Sequence, residues 1–416
     1  MNIAESIKAQ LTADLLELVA LGGRLAAERG QNLYLVGGVV RDALLGKPNL
    51  DVDLVLEGNA PALARQLGKR GNWRVTIHRR FGTATLRRDN LNVDIVSARS
   101  ETYAHPGALP TVATGNIEDD LFRRDFSINA MAVRLDPERF GELVDPHGGR
   151  RDVDRGIVRV LHDESFRDDA TRIWRALRYE QRLGFRLHPD TEVLLLRDVG
   201  MMATISGDRL RNELERTLEE RKPERTLYRL GQVGALEQLA PGLDGNGWLA
   251  ERFELARQAS PDRRPDDVVY YALMVWRLKL DAVARLIHRL NFGAAIARVL
   301  RDIPGVREAV QSLEERKRLP SEISRLLENH QLTSVFVASL STDSMTAWQQ
   351  IDLYLSTLRF VVPSLNGDDL KQMGVPPGRR LGTMLRALRA ARLDGTVSKR
   401  EDEVDLVRRW LGEDVV

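Results

Sequence analysis

The stretch from residue 34 to residue 58 reads YLVGGVVRDALLGKPNLDVDLVLEG, and it decides the predicted fold. Its first apolar residues predict a short strand that ends at two glycines, and a helix is predicted over 39–45. A second apolar run follows and carries Asp51 and Asp53, two residues apart. Because side chains alternate along a strand, both carboxylates are expected on the same face.

This combination predicts a metal-dependent nucleotidyl-transfer site. Two carboxylates on one face repel each other unless a cation lies between them, and oxygen ligands suit Mg²⁺, which keeps waters and shares substrate phosphates. The turn at Gly37 and Gly38 allows backbone N–H groups to approach a phosphate, and Arg41 is expected to neutralise phosphate charge. Asp51 and Asp53 are the predicted metal ligands. The stretch is not a Walker A loop, since no Gly-Lys pair precedes a Ser or Thr.

Asp94, in LNVDIVSAR (91–99), is a candidate third carboxylate of the same site. It lies on a later predicted strand, so the sheet is expected to bring it near Asp51 and Asp53. The alternative is an ordinary aspartate near the end of a strand.

Length and composition narrow the class of protein. A chain of 416 residues suggests two to four domains, and 43% hydrophobic with 29% charged residues is typical of a soluble protein. No apolar run is long enough to span a bilayer, and the acidic, helix-periodic N-terminus resembles neither a signal nor a transit peptide. The absence of cysteine excludes disulfides and thiolate metal sites. We therefore expect a cytoplasmic protein without a membrane partner.

The charge distribution favours a nucleic-acid partner at local patches. The 62 basic residues nearly balance 60 acidic ones, so the net charge of +2 creates no global field. Arginines recur three or four residues apart, as in RIWRALRYEQR (172–182), and arginine forms a planar fork that fits phosphate. Solvated helix faces are the alternative.

The chain divides into a mixed N-terminal part and a helical remainder. Residues 1–30 are predicted to form one amphipathic helix. Short β-rich runs follow up to about residue 144, with a hairpin turn at RRDN (87–90), whereas 103–121 contain too many Pro, Gly and Thr for regular structure. Strands are expected to stop after Asp145, and the pattern is helical from about Ser165. The predicted fold class is α+β.

These residues resemble the class II tRNA nucleotidyltransferase and bacterial poly(A) polymerase family. The resemblance is dense from about residue 31 to 215 and returns near the C-terminus. The segments that carry it are GGVVRD (37–42), DVD (51–53), RRDFSINAMAV (123–133), DPHGGRRDV (145–153), SFRDDATRIWRALRY (165–179), ISGDRLRNEL (205–214) and NGDDLKQMGVPPGRRLGTMLRALRAARLDG (366–395).

The resemblance implies a polymerase-β-like head with a mixed sheet, followed by an all-α neck, body and tail. The expected bounds are 1–150 for the head, 151–235 for the neck, 236–330 for the body and 331–416 for the tail. Members of the family add CCA to the 3′ end of tRNA without a template. The implied partners are therefore tRNA, at its acceptor end and elbow, together with CTP, ATP and Mg²⁺.

The resemblance also assigns site residues by position. Asp51 and Asp53 match the metal-binding pair, and Asp94 matches an auxiliary carboxylate. The nucleotide-binding positions are Gly37, Gly38, Arg41, Arg124, Asp125, Asn129, Asp169 and Arg172. Arg175 and Arg178 are candidates for contact with triphosphate or RNA, with structural salt bridges as the alternative. Candidates for RNA phosphate contact are Arg379, Arg380, Arg386 and Arg389, with a solvated helix face as the alternative.

The pair Asp169 and Arg172 is predicted to read the incoming base. If both lie on one helix, their spacing of three places them on one face. A carboxylate accepts from the amino group of cytosine or adenine, and a guanidinium donates to the neighbouring ring nitrogen. Uracil and guanine present the reverse polarity, at a cost of about 1–3 kcal/mol per unsatisfied group. Asp168 stands where the family usually has glutamate, which leaves its own role open.

Four related activities and one different class of function remain open at this point. The sequence does not separate full CCA addition from addition of A alone or of CC alone, and poly(A) polymerase is a further member of the family. An RNA-binding protein with an inactive head is the alternative from another class, and the intact DVD motif argues against it.

Overall fold

The structure is a computed structural model, and it describes residues 1–78, 82–102 and 111–413. The chain divides into two compact units, Met1–Gln238 and Leu239–Val416. None of the described helices combines the length and the apolar character that crossing a bilayer requires.

The first unit is built on a mixed sheet, as the resemblance implies, and this sheet has seven strands. Its order is β3-β4-β5-β2-β1-β8-β9, in which β2 and β5 pair in parallel and all other neighbours are antiparallel. Strands β6 and β7 form an antiparallel pair of their own, and β10 pairs with β11 in parallel. The strand bounds are β1 Leu33–Val36, β2 Asp51–Leu56, β3 Arg74–His78, β4 Thr83–Arg88, β5 Leu91–Ser97, β6 Arg99–Thr102, β7 Thr111–Thr114, β8 Ala132–Arg134, β9 Leu143–Val144, β10 Ile157–Val158 and β11 Arg186–Leu187.

Helices flank this sheet and make up most of the rest of the first unit. Apolar side chains of the sheet and of the helix after β7 form one buried cluster that includes Tyr34, Val55 and Leu121. The helix bounds are α1 Ala4–Gln10, α2 Ala13–Ala27, α3 Gly38–Leu44, α4 Ala60–Gly71, α5 Ile117–Phe122, α6 Gly149–Arg155, α7 Ser165–Asp168, α8 Thr171–Leu183, α9 Pro189–Asp198, α10 Gly207–Leu218 and α11 Pro223–Gln232.

The second unit is helical throughout its described residues, as predicted. The long helix α15 packs against α13, α14, α17 and α18, and a separate apolar cluster around Leu370, Leu388 and Val407 joins the last three helices. The helix bounds are α12 Gly247–Gln258, α13 Asp267–Val275, α14 Leu280–Arg289, α15 Ala294–Glu315, α16 Pro320–Leu327, α17 Leu332–Ser341, α18 Met345–Ser356, α19 Gly367–Gln372, α20 Arg379–Leu393 and α21 Arg400–Glu413.

The hairpin prediction is confirmed, because β4 and β5 are antiparallel neighbours joined at Asp89, whose φ of 52° is typical of a tight turn. The prediction of a single helix over 1–30 is wrong. The chain breaks between α1 and α2, where the Thr12 hydroxyl accepts a hydrogen bond from the Leu15 N–H at 3.4 Å and caps the second helix.

Two further predictions about regular structure are corrected. Strands do not stop after Asp145. The two-residue strand β10 pairs in parallel with β11, which is distant from it in sequence. Within 103–121, residues 103–110 lie outside the described part, but β7 and α5 follow them. Asn116 and Asp119 close a reciprocal capping box that starts α5 despite the weak local pattern.

We predict that Gly23→Ala strongly destabilises the first unit. A Cβ at Gly23 would lie 1.8 Å from the carbonyl oxygen of Leu135, because α2 packs directly on the backbone that follows β8. The free energy of unfolding is expected to fall by about 3 kcal/mol in urea titrations. Gly200→Ala is the control, since no atom lies within 4 Å of its added Cβ. Equal effects of the two substitutions would contradict this account of the packing.

Candidate active site

The predicted carboxylate pair lies on the central strand β2. Asp51 is exposed and Asp53 is partly buried, with the buried Val52 between them, so the two carboxylates share a face. Asp94 is the neighbour of Asp53 across the parallel pair of β2 and β5, and its Oδ1 accepts a hydrogen bond of 2.6 Å from the Thr85 hydroxyl. Three carboxylates therefore lie close together on one side of the sheet.

The electrostatics of Asp53 indicate a position suited to a cation. Burial, followed by the negative charge of Asp51, raises the pKa of Asp53 from 3.8 to about 6, and Asp94 acts in the same direction against Arg124. A divalent cation bound by Asp51 and Asp53 would relieve this repulsion. In the described ranges, no group of three or more His, Asp or Glu residues is placed to hold a metal ion. The pair Asp51 and Asp53 offers oxygen atoms alone, the donors that Mg²⁺ prefers.

The glycine turn leaves room beside this pair. Gly37 precedes α3 with a φ of 78°, and a Cβ there would lie 3.0 Å from Nη1 of Arg124 and 3.9 Å from Oδ2 of Asp53. A side chain at Gly37 would therefore fill the space between the Arg124 guanidinium and the Asp53 carboxylate. The lack of one keeps that space open for a ligand oxygen.

Arg41 is held by the protein on three sides. It is 2% exposed, its Nε donates to Asp42 at 2.8 Å, and its Nη1 donates to the Asn129 side chain at 2.6 Å. The guanidinium also lies over the ring of Tyr179. Arg41 lines the pocket described below, and its contact with phosphate stays a prediction.

Asp125 is a buried carboxylate that joins the head segment to α8. Its Oδ1 accepts from the Asn129 amide at 3.0 Å, and its Oδ2 accepts from Nε of Arg175 at 2.8 Å. Burial alone would raise the pKa of Asp125, but Arg175 and Asn129 outweigh it and hold the pKa below its ordinary value. Asp125 is therefore a fixed anion that orients its neighbours.

Arg175 and Arg178 both make structural ion pairs. Arg175 contacts Asp125, and Arg178 is 5% exposed with Nη2 3.1 Å from a Glu213 carboxylate oxygen. Asp125 raises the pKa of Arg175 against the effect of burial. Arg175 lines the pocket and Arg178 does not. The geometry thus favours the structural alternative for Arg178.

The predicted base-reading pair is close together, but the helical argument for it is wrong. Asp169 lies between α7 and α8 in extended conformation, so it does not share a helix face with Arg172. Its Oδ1 accepts hydrogen bonds from the backbone N–H and the hydroxyl of Thr171, the first residue of α8. These local bonds hold Asp169 outside the helix, and both residues still line the pocket.

Both side chains of that pair have protein partners. Oδ2 of Asp169 accepts from Nη2 of Arg209 at 2.7 Å. Arg172 donates to the Ser165 hydroxyl at 2.7 Å and to the Arg123 carbonyl at 2.8 Å. A base that donates a hydrogen bond to Oδ2 of Asp169 would therefore replace Arg209 at that oxygen.

A pocket of about 610 Å³ collects these residues. Among the described residues, eight arginines and six Asp or Glu line it, so it suits a highly charged ligand. Asp94 and Arg178 are the predicted head and neck site residues outside its lining. Those inside it are Gly37, Gly38, Arg41, Asp51, Asp53, Arg124, Asp125, Asn129, Asp169, Arg172 and Arg175.

Sequence reasoning missed several residues of this site. Asp120 is fully buried and accepts from both Arg123 and Arg124, so it sets the position of the arginine beside Asp53. Arg209 and Glu213 also line the pocket. Their spacing of four residues on α10 was a visible signal, since it places both on one face. Asp120 also carried a local signal, because it lies three residues before Arg123 and four before Arg124, the spacing of helical ion pairs.

The four tail arginines lie on α20 in the second unit, with different surroundings. Arg379 and Arg380 are exposed in its first turn, and Arg386 is exposed with a hydrogen bond to Thr383. Arg389 donates to the Val361 carbonyl and forms an ion pair with Glu328. The structural role of Arg389 is thus the better supported of its two alternatives.

We predict that Asp53→Asn stabilises the fold at pH 8 and not at pH 4. The pKa of about 6 lies above the ordinary 3.8, so the folded protein binds a proton that the unfolded chain has lost between these values. The contribution of this group to stability is present below about pH 4 and lost as pH rises through 6. The free energy of unfolding should rise by about 1–2 kcal/mol at pH 8.

Urea unfolding at both pH values measures this effect. The exposed Asp262 provides the control, and Asp262→Asn is expected to change stability by less than about 0.5 kcal/mol at either pH. A loss of stability in Asp53→Asn at pH 8 would show that no carboxylate repulsion exists there.

Comparisons with known proteins give matches over most of the chain. The family model described as the poly A polymerase head domain matches residues 33–159, and the probable RNA- and SrmB-binding site of polymerase A matches residues 184–246. Among solved structures, a CCA-adding enzyme in an apo form superposes with a TM-score of 0.86 at 30% identity, covering 98% of this chain and 99% of that one. A Thermotoga maritima CCA-adding enzyme complexed with tRNA gives 0.78 at 30% identity, covering 99% of each chain.

Curated relatives extend over nearly the whole chain. An A-adding tRNA nucleotidyltransferase of Halalkalibacterium halodurans is 33% identical over 98% of this chain and 96% of its own length. One of Geobacter sulfurreducens is 34% identical over 93% of this chain, which spans only 46% of that longer relative. A CC-adding tRNA nucleotidyltransferase of Deinococcus radiodurans is 32% identical over 91% of this chain and 90% of its own length.

The predicted fold class, an α+β nucleotidyltransferase head followed by helices, is confirmed by these matches. The chain belongs to the tRNA nucleotidyltransferase and poly(A) polymerase family.

Proposed function

We propose that the protein adds CCA to the 3′ end of tRNA without a nucleic-acid template, using CTP and ATP. The observation that carries the proposal is one arginine-rich pocket that is lined both by the carboxylate pair Asp51 and Asp53 and by Asp169 with Arg172. The first pair suits phosphoryl chemistry, and the second pair suits the recognition of a base edge.

Asp51 and Asp53 would hold the metal, and we propose Mg²⁺. When bound there, the ion would supply a Lewis acid for the attacking 3′ hydroxyl and the leaving pyrophosphate. Arg124, next to Asp53 and Gly37, is the candidate for neutralising triphosphate charge. Oδ2 of Asp120 accepts a hydrogen bond of 2.9 Å from that guanidinium, so the position of Arg124 is set before the nucleotide binds.

Asp169 and Arg172 would select cytosine and adenine over uracil and guanine. The two hydrogen bonds from Thr171 fix Oδ1 of Asp169 and leave Oδ2 to the Arg209 contact. Exchange of Arg209 for the amino group of a base keeps that oxygen satisfied. A base that presents an acceptor there leaves the oxygen unpaired, at about 1–3 kcal/mol.

The remaining helices would hold the RNA. We propose a head at 1–150, a neck at 151–235, a body at 236–330 and a tail at 331–416. Arg379, Arg380 and Arg386 on α20 are the proposed contacts to tRNA, at its elbow. Relatives of this chain are tRNA nucleotidyltransferases, and one similar solved structure is a complex with tRNA.

Addition of A alone, or of CC alone, is the second candidate. Two relatives that match nearly the whole chain carry the name A-adding, and another is named CC-adding. Enzymes of all three types would use the same carboxylate pair and the same base edge, so only their reaction products distinguish them.

An extension assay with Mg²⁺, CTP and ATP tests the proposal on three RNAs: tRNA that lacks CCA, tRNA that ends in CC, and an unstructured oligonucleotide. We expect the first to gain CCA and the second to gain one A. One A on the second RNA alone would indicate an A-adding enzyme, and a stop after two C would indicate a CC-adding one. Long A tails on the oligonucleotide would indicate a poly(A) polymerase.

Asp53→Ala is the control for catalysis in this assay. It should reduce incorporation at least about 1,000-fold because it removes half of the metal site, whereas RNA binding should persist. An RNA-binding protein with an inactive head would incorporate nothing in either form. No incorporation on any RNA by the folded wild-type protein would overturn the proposal.

A further inference from the structure

The aromatic ring of Tyr179 contacts three arginines at the nucleotide pocket. Tyr179 lies on α8, is 9% exposed and lines the pocket. The guanidinium carbons of Arg41, Arg175 and Arg178 lie 5.3, 5.5 and 5.3 Å from its ring centroid. Because the face of an aromatic ring is negative, each of these cations is attracted to it. Tyr179 thus joins Arg41 on α3 to two arginines of its own helix.

Packing fixes the orientation of this ring. The fully buried Phe126 meets it edge to face, with the two centroids 5.8 Å apart and the two planes at 81°. Nη2 of Arg175 also donates a hydrogen bond of 3.3 Å to the Tyr179 hydroxyl. Because a buried ring and an arginine both hold the side chain, its face stays toward the cations.

The ring offsets repulsion that the arginines would otherwise exert on one another. Guanidinium groups gathered around one ring carry like charges, which repel. The ion pairs that balance these charges are Arg41 with Asp42, Arg175 with Asp125, and Arg178 with Glu213. Each pair has its own carboxylate, whereas the Tyr179 ring is shared by all three arginines. The ring therefore sets the positions of the arginines relative to one another.

Two of the three arginines face a ligand in the pocket. Arg41 and Arg175 line it, whereas Arg178 does not. Arg41 uses three of its five N–H donors on neighbouring side chains. A Cβ at Gly38 would lie 3.5 Å from Nη2 of Arg41, so this guanidinium lies at the glycine turn. Donors that remain at such a turn suit the oxygens of a phosphate.

We propose that the ring face of Tyr179 positions Arg41 and Arg175 to bind the phosphates of the incoming nucleotide. The inference rests on the proposed function for the identity of that ligand. Tyr179 is a positioning residue, because it acts on the phosphates through the two guanidinium groups. Loss of the ring removes the attraction that the two arginines share, so nucleotide binding weakens.

The test separates the ring face from the hydroxyl group. ATP binding to the full-length protein is measured by isothermal titration calorimetry. Tyr179→Leu removes the ring and should weaken ATP binding at least about tenfold, whereas Tyr179→Phe keeps the ring and should stay within about threefold. In the extension assay, Tyr179→Leu should raise the Michaelis constant for ATP and leave kcat within about threefold, because the arginines bind the phosphates equally before and during the reaction.

A fluorinated series tests the charge of the ring face at nearly constant shape, and it keeps the test decisive if Tyr179→Leu is unfolded. Phenylalanines with increasing numbers of fluorine atoms replace Tyr179, and each fluorine weakens the negative ring face. The dissociation constant for ATP should rise steadily, by about tenfold over the series. The same series at Tyr34 is the matched control, because that tyrosine is 3% exposed in the same unit and has Arg134 over its ring. ATP affinity should stay within about twofold there.

The outcomes separate this inference from the proposed function. A flat series at Tyr179, or an equal gradient at Tyr34, would overturn the inference even if the wild type adds CCA. Equal losses in Tyr179→Phe and Tyr179→Leu would show that the hydroxyl acts on the ligand, and they would overturn it as well. A gradient at Tyr179 alone, in a protein that binds ATP but extends no RNA, would support the role of Tyr179, and only the proposed function would fail. A wild type that binds no ATP would overturn both.

Discussion

The Asp125 carboxylate ties the sheet to the helices, and the nucleotide pocket depends on that connection. Its two oxygens accept from Asn129, which holds Arg41 near the glycine turn, and from Arg175 on α8. The same side chains thus link the segment that carries the carboxylate pair to the helix that carries Arg172. A buried carboxylate without its cation costs several kcal/mol, so loss of either partner is expected to destabilise both sides of the pocket.

Around this connection, charges fall into two groups that differ in how well they are satisfied. Asp120, Asp125 and Glu213 are matched to arginines and keep the wall of the pocket rigid. Asp53 lies among other carboxylates, whose negative charge raises its pKa together with burial. Unrelieved repulsion lowers stability, and a ligand of opposite charge restores it on binding. Asp53 therefore marks where a cation would bind.

Local patterns predicted the parts of the fold that local forces determine. Side-chain alternation along β2 and the turn at Asp89 depend on neighbours in sequence, and both predictions were right. The break at Thr12 and the extended conformation of Asp169 were missed, because one local side-chain hydrogen bond outweighs helical periodicity at a single residue. Most predicted pocket residues do line the pocket. The contact of Asp169 with Arg209, 40 residues further along the chain, comes from tertiary packing that local spacing does not encode.

A double-mutant cycle between Asp125 and Arg175 tests most directly whether one buried pair assembles the pocket. Asp125→Asn, Arg175→Gln and the double variant are compared with wild type by urea unfolding and by ATP binding. We predict a coupling energy of about 2 kcal/mol or more, with ATP affinity lost in all three variants. The exposed pair Arg150 and Asp154 should give less than about 0.5 kcal/mol. Additive effects at Asp125 and Arg175, with ATP affinity retained, would contradict the account.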